Sequence, residues 1–221
     1  MNKICVVAPH PDDETLGCGG TILKHKKEKD EINWICATSM KASNYWSEKD
    51  IRRRDKEIKK VIKAYRFDNF YSLDFPPKEL DKISLSEIID SLNKVLNKIK
   101  PNILYVPFFL DAHSDHKIIG ETYNALGKWF RYSYIKKIIC YETISETEFN
   151  IISSQTFKPN KFVNISSFMS KKIKIMKIYK SELGKHPFPR SAKAIEALGI
   201  LRGSQSGFKY AEAFKTILDR S

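Results

Sequence analysis

Cysteine is scarce in this sequence, with only four residues among 221. Cys5, Cys36 and Cys140 lie inside apolar, strand-like stretches, and neither they nor Cys18 form a C-x-x-C pair. This pattern excludes a disulfide framework and favours buried free thiols in a reducing compartment.

A long hydrophobic run is also missing. The N-terminal segment MNKICVVAPH has a short apolar stretch followed by proline and acid, too short for a signal-peptide core or a membrane span. We therefore expect a cytoplasmic protein with no transmembrane segment. Because no Gly/Ser-rich linker and no repeat interrupts the chain, we also expect a single domain over residues 1–221.

Acidic residues are fewer than basic ones, 26 against 39, which gives a net charge of +13. Many of the lysines lie along helix-like stretches, where a solvated surface is the simplest interpretation. The alternative is an electrostatic field that attracts an anionic substrate, such as a phosphate-bearing or nucleotide-linked sugar. Without a helix-turn-helix, zinc-finger or RNP-type signature, we predict no nucleic-acid binding.

Apolar, strand-like segments alternate along the chain with amphipathic, helix-like ones. This alternation predicts an α/β fold, a Rossmann-like, doubly wound, mostly parallel sheet with helices on both faces. Strands are expected at Lys3–Ala8, Ile32–Thr38, Phe70–Leu73, Ile103–Val106, Lys137–Tyr141 and Phe162–Ile165. Helices are expected at Thr15–Glu28, from a Ser47 cap to Tyr65, after Ser84 or Ser86, and at His116–Phe130, Ser167–Ser181 and Ser191–Leu201.

The common doubly wound strand order places strand 1 beside strand 4, where the winding direction reverses. Ligands bind in the crevice at that point, outside the carboxyl ends of the strands. The order therefore predicts that the chemistry lies just after Ala8 and just after Val106.

Acidic, histidine-containing clusters follow both of these strands, PHPDDE after the first and DAHSDH after the fourth. Imidazole and carboxylate groups suit a zinc-type divalent metal, and three protein ligands leave a position for water. Residues three apart can share one side of a helical turn, which pairs His10 with Asp13 and His113 with His116. Spacing alone leaves open which three groups bind the metal and which carboxylate acts as the base.

Two segments, APHPDDETLGCGGTI (Ala8–Ile22) and PFFLDAHSDH (Pro107–His116), resemble the motifs of the PIG-L/LmbE family of zinc-dependent N-acetyl-sugar deacetylases. The stretch RGSQSGFKYAEAF (Arg202–Phe214) is also similar to that family's C-terminal pattern. The resemblance implies one zinc ion per chain, held by His10, Asp13 and His116. The implied reaction removes the acetyl group of an N-acetylglucosamine-type sugar and releases acetate.

The same resemblance assigns the acid–base groups. It implies Asp12 as the general base that activates water, since a carboxylate beside a cation stays ionised near neutral pH. His113, if protonated, would stabilise the oxyanion or protonate the leaving amine, and Asp115 would orient its imidazole.

Four further residues are candidates for binding the substrate. Asp111 is either a helix cap or a residue that contacts the substrate or supports a ligand. Arg54, in an R-x-x-E element, could bind sugar hydroxyls or a phosphate, although Arg52 and Arg53 leave the register open and a solvated basic face is an equal alternative. His186 and Arg190 lie in the stiff segment HPFPRS, from which both could reach the crevice.

Three glycines after the first motif, Gly17, Gly19 and Gly20, have the spacing G-C-G-G rather than G-x-G-x-x-G. They indicate close contact between a helix and the sheet, and no nicotinamide cofactor is expected.

Several alternatives stay open at this point. The substrate is a small acetylated amino sugar, which could be malate-, nucleotide- or lipid-linked and therefore anionic, and a homo-oligomer is compatible with the sequence. A non-catalytic sugar- or nucleotide-binding relative is the second functional hypothesis. The intact ligand set and base disfavour it.

Overall fold

The computed structural model describes residues 1–151 and 156–220. Its strands are β1 (Lys3–Ala8), β2 (Glu31–Thr38), β3 (Asn69–Phe75), β4 (Ile103–Pro107), β5 (Lys137–Tyr141), β6 (Lys161–Asn164) and β7 (Ala211–Asp219). Its helices are α1 (Asp13–Lys27), α2 (Glu48–Tyr65), α3 (Leu85–Ile99), α4 (Ser114–Glu121), α5 (Tyr123–Leu126), α6 (Met169–Met176) and α7 (Ala192–Ser204). In these ranges, no helix combines the length and the apolar character needed to cross a bilayer.

The strands form one seven-stranded sheet in the order β3-β2-β1-β4-β5-β7-β6. The first five strands are parallel, whereas β7 runs antiparallel to both of its neighbours, β5 and β6. The prediction of a doubly wound, mostly parallel sheet is thus confirmed. So is the expected neighbour pair, because β1 lies beside β4 and the winding direction reverses between them.

Each face of the sheet carries its own hydrophobic core. Alternate residues of β1 point to opposite faces, as the pleat requires: Ile4 and Val6 belong to one core, Cys5 and Val7 to the other. The first core is covered by α1, α2, α6 and α7, and the second by α3, α4 and α5. Because both faces are covered, the central strands are continuously apolar, which explains why they were recognisable in the sequence.

Serine caps fix the starts of the two long amphipathic helices. Ser47 Oγ accepts a hydrogen bond from the Asp50 backbone N–H at 3.2 Å, and Ser84 Oγ accepts one from Glu87 N–H at 3.3 Å. Each cap satisfies a backbone donor that has no partner inside the helix. The predicted cap at Ser47 is confirmed, and Ser84 rather than Ser86 opens α3.

The chain after His116 departs from the prediction of one long helix. The structure has α4, which ends at Glu121, followed by the single turn α5. Thr122 Oγ1 donates to the Ile119 carbonyl at 2.7 Å, and Gly127 closes the turn that follows. A side chain that bonds to the backbone in this way competes with regular helical geometry, which accounts for the break.

Strand β7 is not among the strands that the sequence pattern predicts. Its first residues are poor strand formers, two alanines and a glutamate, so local propensity hides it. The buried Glu212 accepts hydrogen bonds from the Gly20 and Thr21 backbone N–H groups at 2.8 and 2.7 Å and from Lys172 Nζ at 2.7 Å. This tertiary network ties β7 to α1 and α6.

The expected contact between α1 and the sheet is present. A Cβ atom on Gly20 would lie 2.6 Å from Ile165 Cγ2, and one on Gly17 would collide with the ring of Tyr141. These glycines let α1 lie close to β5 and to the residue that follows β6. They therefore determine how closely α1, whose first turn includes Asp13, packs against the sheet.

Candidate metal centre and active site

The motifs after β1 and β4 meet at the carboxyl edge of the sheet. Asp13 Oδ2 lies 3.4 Å from His10 Nδ1 and 3.3 Å from His116 Nε2. One ligand atom from each of the three residues falls within 4.8 Å of the others, as a metal site requires. Two residues of the first motif and one of the second thus form a single cluster.

The hydrogen bonding of the His116 ring shows that this cluster fits a cation. Its Nδ1 is hydrogen-bonded to Asp111 Oδ2 at 2.8 Å, whereas its buried Nε2 has no hydrogen-bond partner among the described residues. Buried polar atoms are normally paired. An imidazole that a carboxylate holds from behind, with its second nitrogen turned to another carboxylate, has the arrangement of a metal ligand.

The backbone between the two ligands of the first motif is strained. Asp12 has φ 140°, a region that residues with a side chain rarely adopt. Glu14 stabilises it, because Glu14 Oε2 accepts the Asp12 N–H at 2.9 Å and its other oxygen accepts the Tyr179 hydroxyl at 2.9 Å. Glu14, in the first turn of α1, thus supports the strained backbone of the first motif.

Asp12 itself is buried and lines a cavity beside the cluster. Burial, followed by the charges of Asp13 and Glu182, raises the pKa of Asp12 above its usual range. Within the described ranges, no donor is hydrogen-bonded to its carboxylate. A buried carboxylate with a raised pKa and no hydrogen-bond partner can accept a proton from a molecule in the cavity.

His113 is half-buried and also lines the cavity. Burial, together with the neighbouring imidazoles of His10 and His116, lowers the pKa of His113 to about 4. Its Nδ1 accepts a hydrogen bond from the Asp115 backbone N–H at 3.1 Å. The ring is therefore neutral near pH 7 with its proton on Nε2, which makes it a hydrogen-bond donor toward the cavity.

Asp115 contacts the His113 ring through its backbone N–H, whereas the hydrogen bonds of its carboxylate go to other groups. Asp115 Oδ2 contacts His10 Nε2 at 2.8 Å and accepts the Lys78 N–H at 2.7 Å, while Oδ1 accepts the Leu80 N–H at 3.2 Å. His113 is the N-cap of α4, and its Nδ1 is the atom that accepts the Asp115 N–H. The carboxylate instead holds the outer nitrogen of His10.

His10 therefore belongs to two groups of potential ligands, with Asp13 and His116 on one side and with His113 and Asp115 on the other. Burial alone would lower the pKa of His10, but its hydrogen bonds to Asp115 and Asp13 raise it to about 9. Because Asp115 already bonds Nε2, the nitrogen left for a metal is Nδ1, which faces Asp13. This geometry favours the first group.

Asp111 lies behind the cluster rather than in the cavity. Its side chain is fully buried, and its second oxygen accepts the Thr147 hydroxyl at 2.6 Å. Asp111 does not line the cavity, so the structure does not bring it to a place where a substrate would contact it. The helix cap is His113, and the alternative of support for a ligand agrees with the bond between Asp111 and His116.

Arg54 is the arginine of α2 that turns inward, which resolves the register among the three adjacent arginines. It is only 4% exposed and lines the cavity. Its Nη1 donates to the Pro11 carbonyl at 2.8 Å, and its Nη2 contacts Ser181 Oγ at 3.0 Å and the Glu182 carboxylate. Arg54 thus ties the first motif to the segment after α6.

The two candidates of the HPFPRS segment lie in different surroundings. Arg190 lines the cavity, where its Nη1 donates to Ser145 Oγ at 2.8 Å and its Nη2 lies 3.4 Å from Glu182 Oε2. His186 is exposed and does not line the cavity, so the structure does not bring it together with the other candidates. The Phe188 N–H donates to the Lys185 carbonyl at 2.9 Å, and this turn leaves His186 at its exposed tip.

The cavity has a volume of about 330 Å³ and includes residues that sequence reasoning missed. Glu182 bridges Arg54 and Arg190, but no local pattern marked it. Trp46 and Lys78 lie on loops at the same edge of the sheet as the two motifs. The rule that ligands gather at the carboxyl ends of parallel strands, applied to β2 and β3 as well, would have drawn attention to them.

Comparisons with known proteins agree with this site. The family model PIG-L, GlcNAc-PI de-N-acetylase, matches residues 5–126, more than half of the chain and the part that includes both motifs. Diacetylchitobiose deacetylase of Thermococcus kodakarensis is 25% identical over 230 residues, which cover 98% of this chain and 84% of that protein.

Two further matches differ in extent. A probable N-acetyl-alpha-D-glucosaminyl L-malate deacetylase 2 of Bacillus cereus is 25% identical over 128 residues, 54% of this chain and 58% of that protein. The conserved protein TT1542 of Thermus thermophilus superposes with a TM-score of 0.80 at 24% identity, covering 100% of this chain and 97% of that one, which shows the shared fold. With its motifs at the predicted edge of the sheet and the family model spanning both of them, this chain belongs to the PIG-L (GlcNAc-PI de-N-acetylase) family.

Proposed function

We propose that this protein is a zinc-dependent hydrolase that removes the N-acetyl group from an N-acetylglucosamine-type sugar and releases acetate. The observation that carries the proposal is the cluster of His10, Asp13 and His116, with the unpaired His116 Nε2 3.3 Å from Asp13 and the Asp12 carboxylate beside it. Family membership and the names of the deacetylases to which the chain is similar support it.

His10, Asp13 and His116 would hold one zinc ion per chain, with Asp111 and Asp115 supporting the two imidazoles from behind. When bound, such an ion supplies positive charge that acidifies water and polarises the acetyl carbonyl. A set of two imidazoles and one carboxylate is the donor type that zinc prefers at catalytic sites.

The chain's own residues would perform the proton transfers. Asp12 accepts a proton from water, whose oxygen forms a bond to the acetyl carbon. His113 donates its Nε2–H hydrogen bond to the oxygen on which negative charge develops. The carbonyl then re-forms, the C–N bond breaks with its electron pair going to nitrogen, and the proton held by Asp12 passes to that nitrogen. The acid formed gives its remaining proton to the amine, so that acetate and the protonated amino sugar leave. No net proton is gained or lost by the protein.

Arg54 and Arg190 stay substrate-binding candidates in this proposal, because both line the cavity. Their shared partner Glu182 offers a carboxylate oxygen to sugar hydroxyls, which accept and donate equally well. The cytoplasmic location, the single domain over the whole chain and a homo-oligomer stay predictions. An anionic substituent on the sugar also stays a prediction, and the net charge of +13 supports it.

Acetate release tests the proposal directly. We expect purified protein loaded with zinc to release acetate from at least one of N-acetylglucosamine, diacetylchitobiose, UDP-N-acetylglucosamine and N-acetylglucosaminyl malate. Removal of the metal by a chelator should abolish release, and added zinc should restore it. Protein that binds these sugars without releasing acetate would instead be the non-catalytic relative.

A further inference from the structure

A lysine and two aromatic side chains form one rim of the cavity. Trp46 and Lys78 line it, and Tyr45, which is 77% exposed, packs edge-on against Trp46 with 5.0 Å between ring centroids. Lys78 Nζ lies 5.3 Å from the Tyr45 ring centroid and 5.6 Å from that of Trp46. The two rings hold the ammonium group at the mouth of the cavity through cation–π attraction.

The backbone of Lys78 is fixed relative to the cluster of His10, Asp13 and His116. Its φ is +67°, unusual for a residue with a side chain, and its N–H donates to Asp115 Oδ2 at 2.7 Å. The same oxygen contacts His10 Nε2 at 2.8 Å. The Asp115 carboxylate therefore contacts both the backbone of Lys78 and the ring of the candidate ligand His10. These two contacts fix the position of the Lys78 backbone relative to His10.

Charge distinguishes Lys78 from the other two cations of the cavity. Arg54 and Arg190 both form ion pairs with Glu182. Lys78 has no carboxylate within 4 Å of its ammonium group in the part of the chain that the structure describes. Among the described residues, its ammonium group contacts the uncharged faces of Tyr45 and Trp46, which leaves its charge able to pair with an anion from outside the protein.

We propose that Lys78 binds an anionic group on the part of the substrate beyond the acetylated sugar, with the Trp46 ring as a flat surface for that part. This inference deepens the proposed function and rests on it. The substrate class is an N-acetylated amino sugar joined to a carboxylate- or phosphate-bearing group, in preference to a neutral disaccharide. Carboxylate and phosphate share the same recognition chemistry at a lysine.

The chain offers a matched control for the lysine. Lys98 of α3 lies over the ring of Tyr71 at 5.3 Å, is also exposed, and does not line the cavity. Lys78→Met and Lys98→Met remove the same charge from the same kind of aromatic contact at two places. Lys78→Arg keeps the charge at the rim.

The kinetic experiment compares N-acetylglucosaminyl malate, UDP-N-acetylglucosamine and diacetylchitobiose with all four proteins. We expect Lys78→Met to raise KM for whichever anionic substrate is used by about tenfold, the usual effect of one charged hydrogen bond, with little change in kcat. The preference for that substrate over diacetylchitobiose should fall by the same factor. Lys78→Arg should restore most of it, and Lys98→Met should match the wild type.

A binding measurement makes the test independent of turnover. Calorimetric titration with the deacetylated product, glucosaminyl malate, and with the phosphate-bearing UDP-glucosamine should give about tenfold weaker affinity in Lys78→Met for at least one of them. An unchanged affinity for both, or an equal loss for the neutral and anionic substrates, overturns the role of Lys78. Wild-type protein that binds a product but releases acetate from none of the substrates overturns the proposed function instead.

Discussion

The cluster of candidate metal ligands and the rim of the cavity are built in different ways. His10 and Asp13 follow β1, and His116 lies in the helix that follows the neighbouring strand β4. Carboxylates behind the cluster orient its two imidazoles. The rim of the cavity includes Trp46 and Lys78, from two different loops, together with Glu182 and Arg190, which share the segment between α6 and α7; all four are half-buried or exposed. We infer that the cluster determines the reaction, whereas the rim determines which acetylated sugar reaches it.

The strongest test of that division removes a ligand of the cluster. His116→Ala deletes one of the three donors and leaves Asp13 buried beside an empty volume. We expect bound zinc, measured by atomic emission after dialysis, to fall to background and kcat/KM to fall by about 10⁴-fold, the loss of the ion's charge stabilisation.

His186→Ala is the matched control, because this histidine is exposed and outside the cavity. It should keep both zinc and activity. A His116→Ala protein with a full complement of tightly bound zinc would contradict the ligand set.

The second test separates the base from the metal. Asp12→Asn keeps the shape of the side chain but cannot accept a proton. We expect kcat to fall by about 10²- to 10⁴-fold, the usual contribution of a general base, with zinc content close to that of the wild type. Full activity with zinc bound would show that another group takes the proton from water.

A third test changes Asp111, the carboxylate that bonds to the candidate ligand His116 and for which the sequence suggested several roles. Asp111→Asn weakens the bond that orients His116, so we expect zinc affinity, measured by competition with a chelator, to fall by about 10- to 100-fold. Asp219→Asn, which breaks only the exposed pair with Lys137, serves as the control. A change in KM without a change in zinc affinity would instead indicate that Asp111 contacts the substrate.

The sequence was most informative where local pattern and topology agreed. Continuously apolar strands indicated the order of the central sheet, and that order brought His10 and His116 to one edge without any appeal to family. Spacing left the choice of ligands open, and the resemblance supplied it. The geometry of the described residues agrees with that choice, because one ligand atom from each of His10, Asp13 and His116 lies within 4.8 Å of the others.

Where the sequence failed, the deciding contacts join distant segments. The resemblance paired Asp115 with His113, and the backbone N–H of Asp115 does bond to that ring, but its carboxylate bonds to His10, 105 residues away. Glu182 and β7 carry no local signal, because a bridging carboxylate and a strand that begins with alanine and glutamate depend on partners elsewhere in the fold. Local propensity gives no information about such partners.

We expect the smallest effect from a change in Glu182, the carboxylate that pairs with both Arg54 and Arg190. Glu182→Gln leaves the size of the side chain unchanged but removes the charge that pairs with Arg54 and Arg190. Because the carboxylate is partly exposed, we expect KM to rise by only about three- to tenfold, with kcat and zinc content close to wild type. Glu79→Gln, which breaks an exposed pair with Lys82, should leave KM unchanged. If Glu182→Gln lowered kcat as strongly as Asp12→Asn, the rim would take part in the reaction itself, and the division between the two regions would not hold.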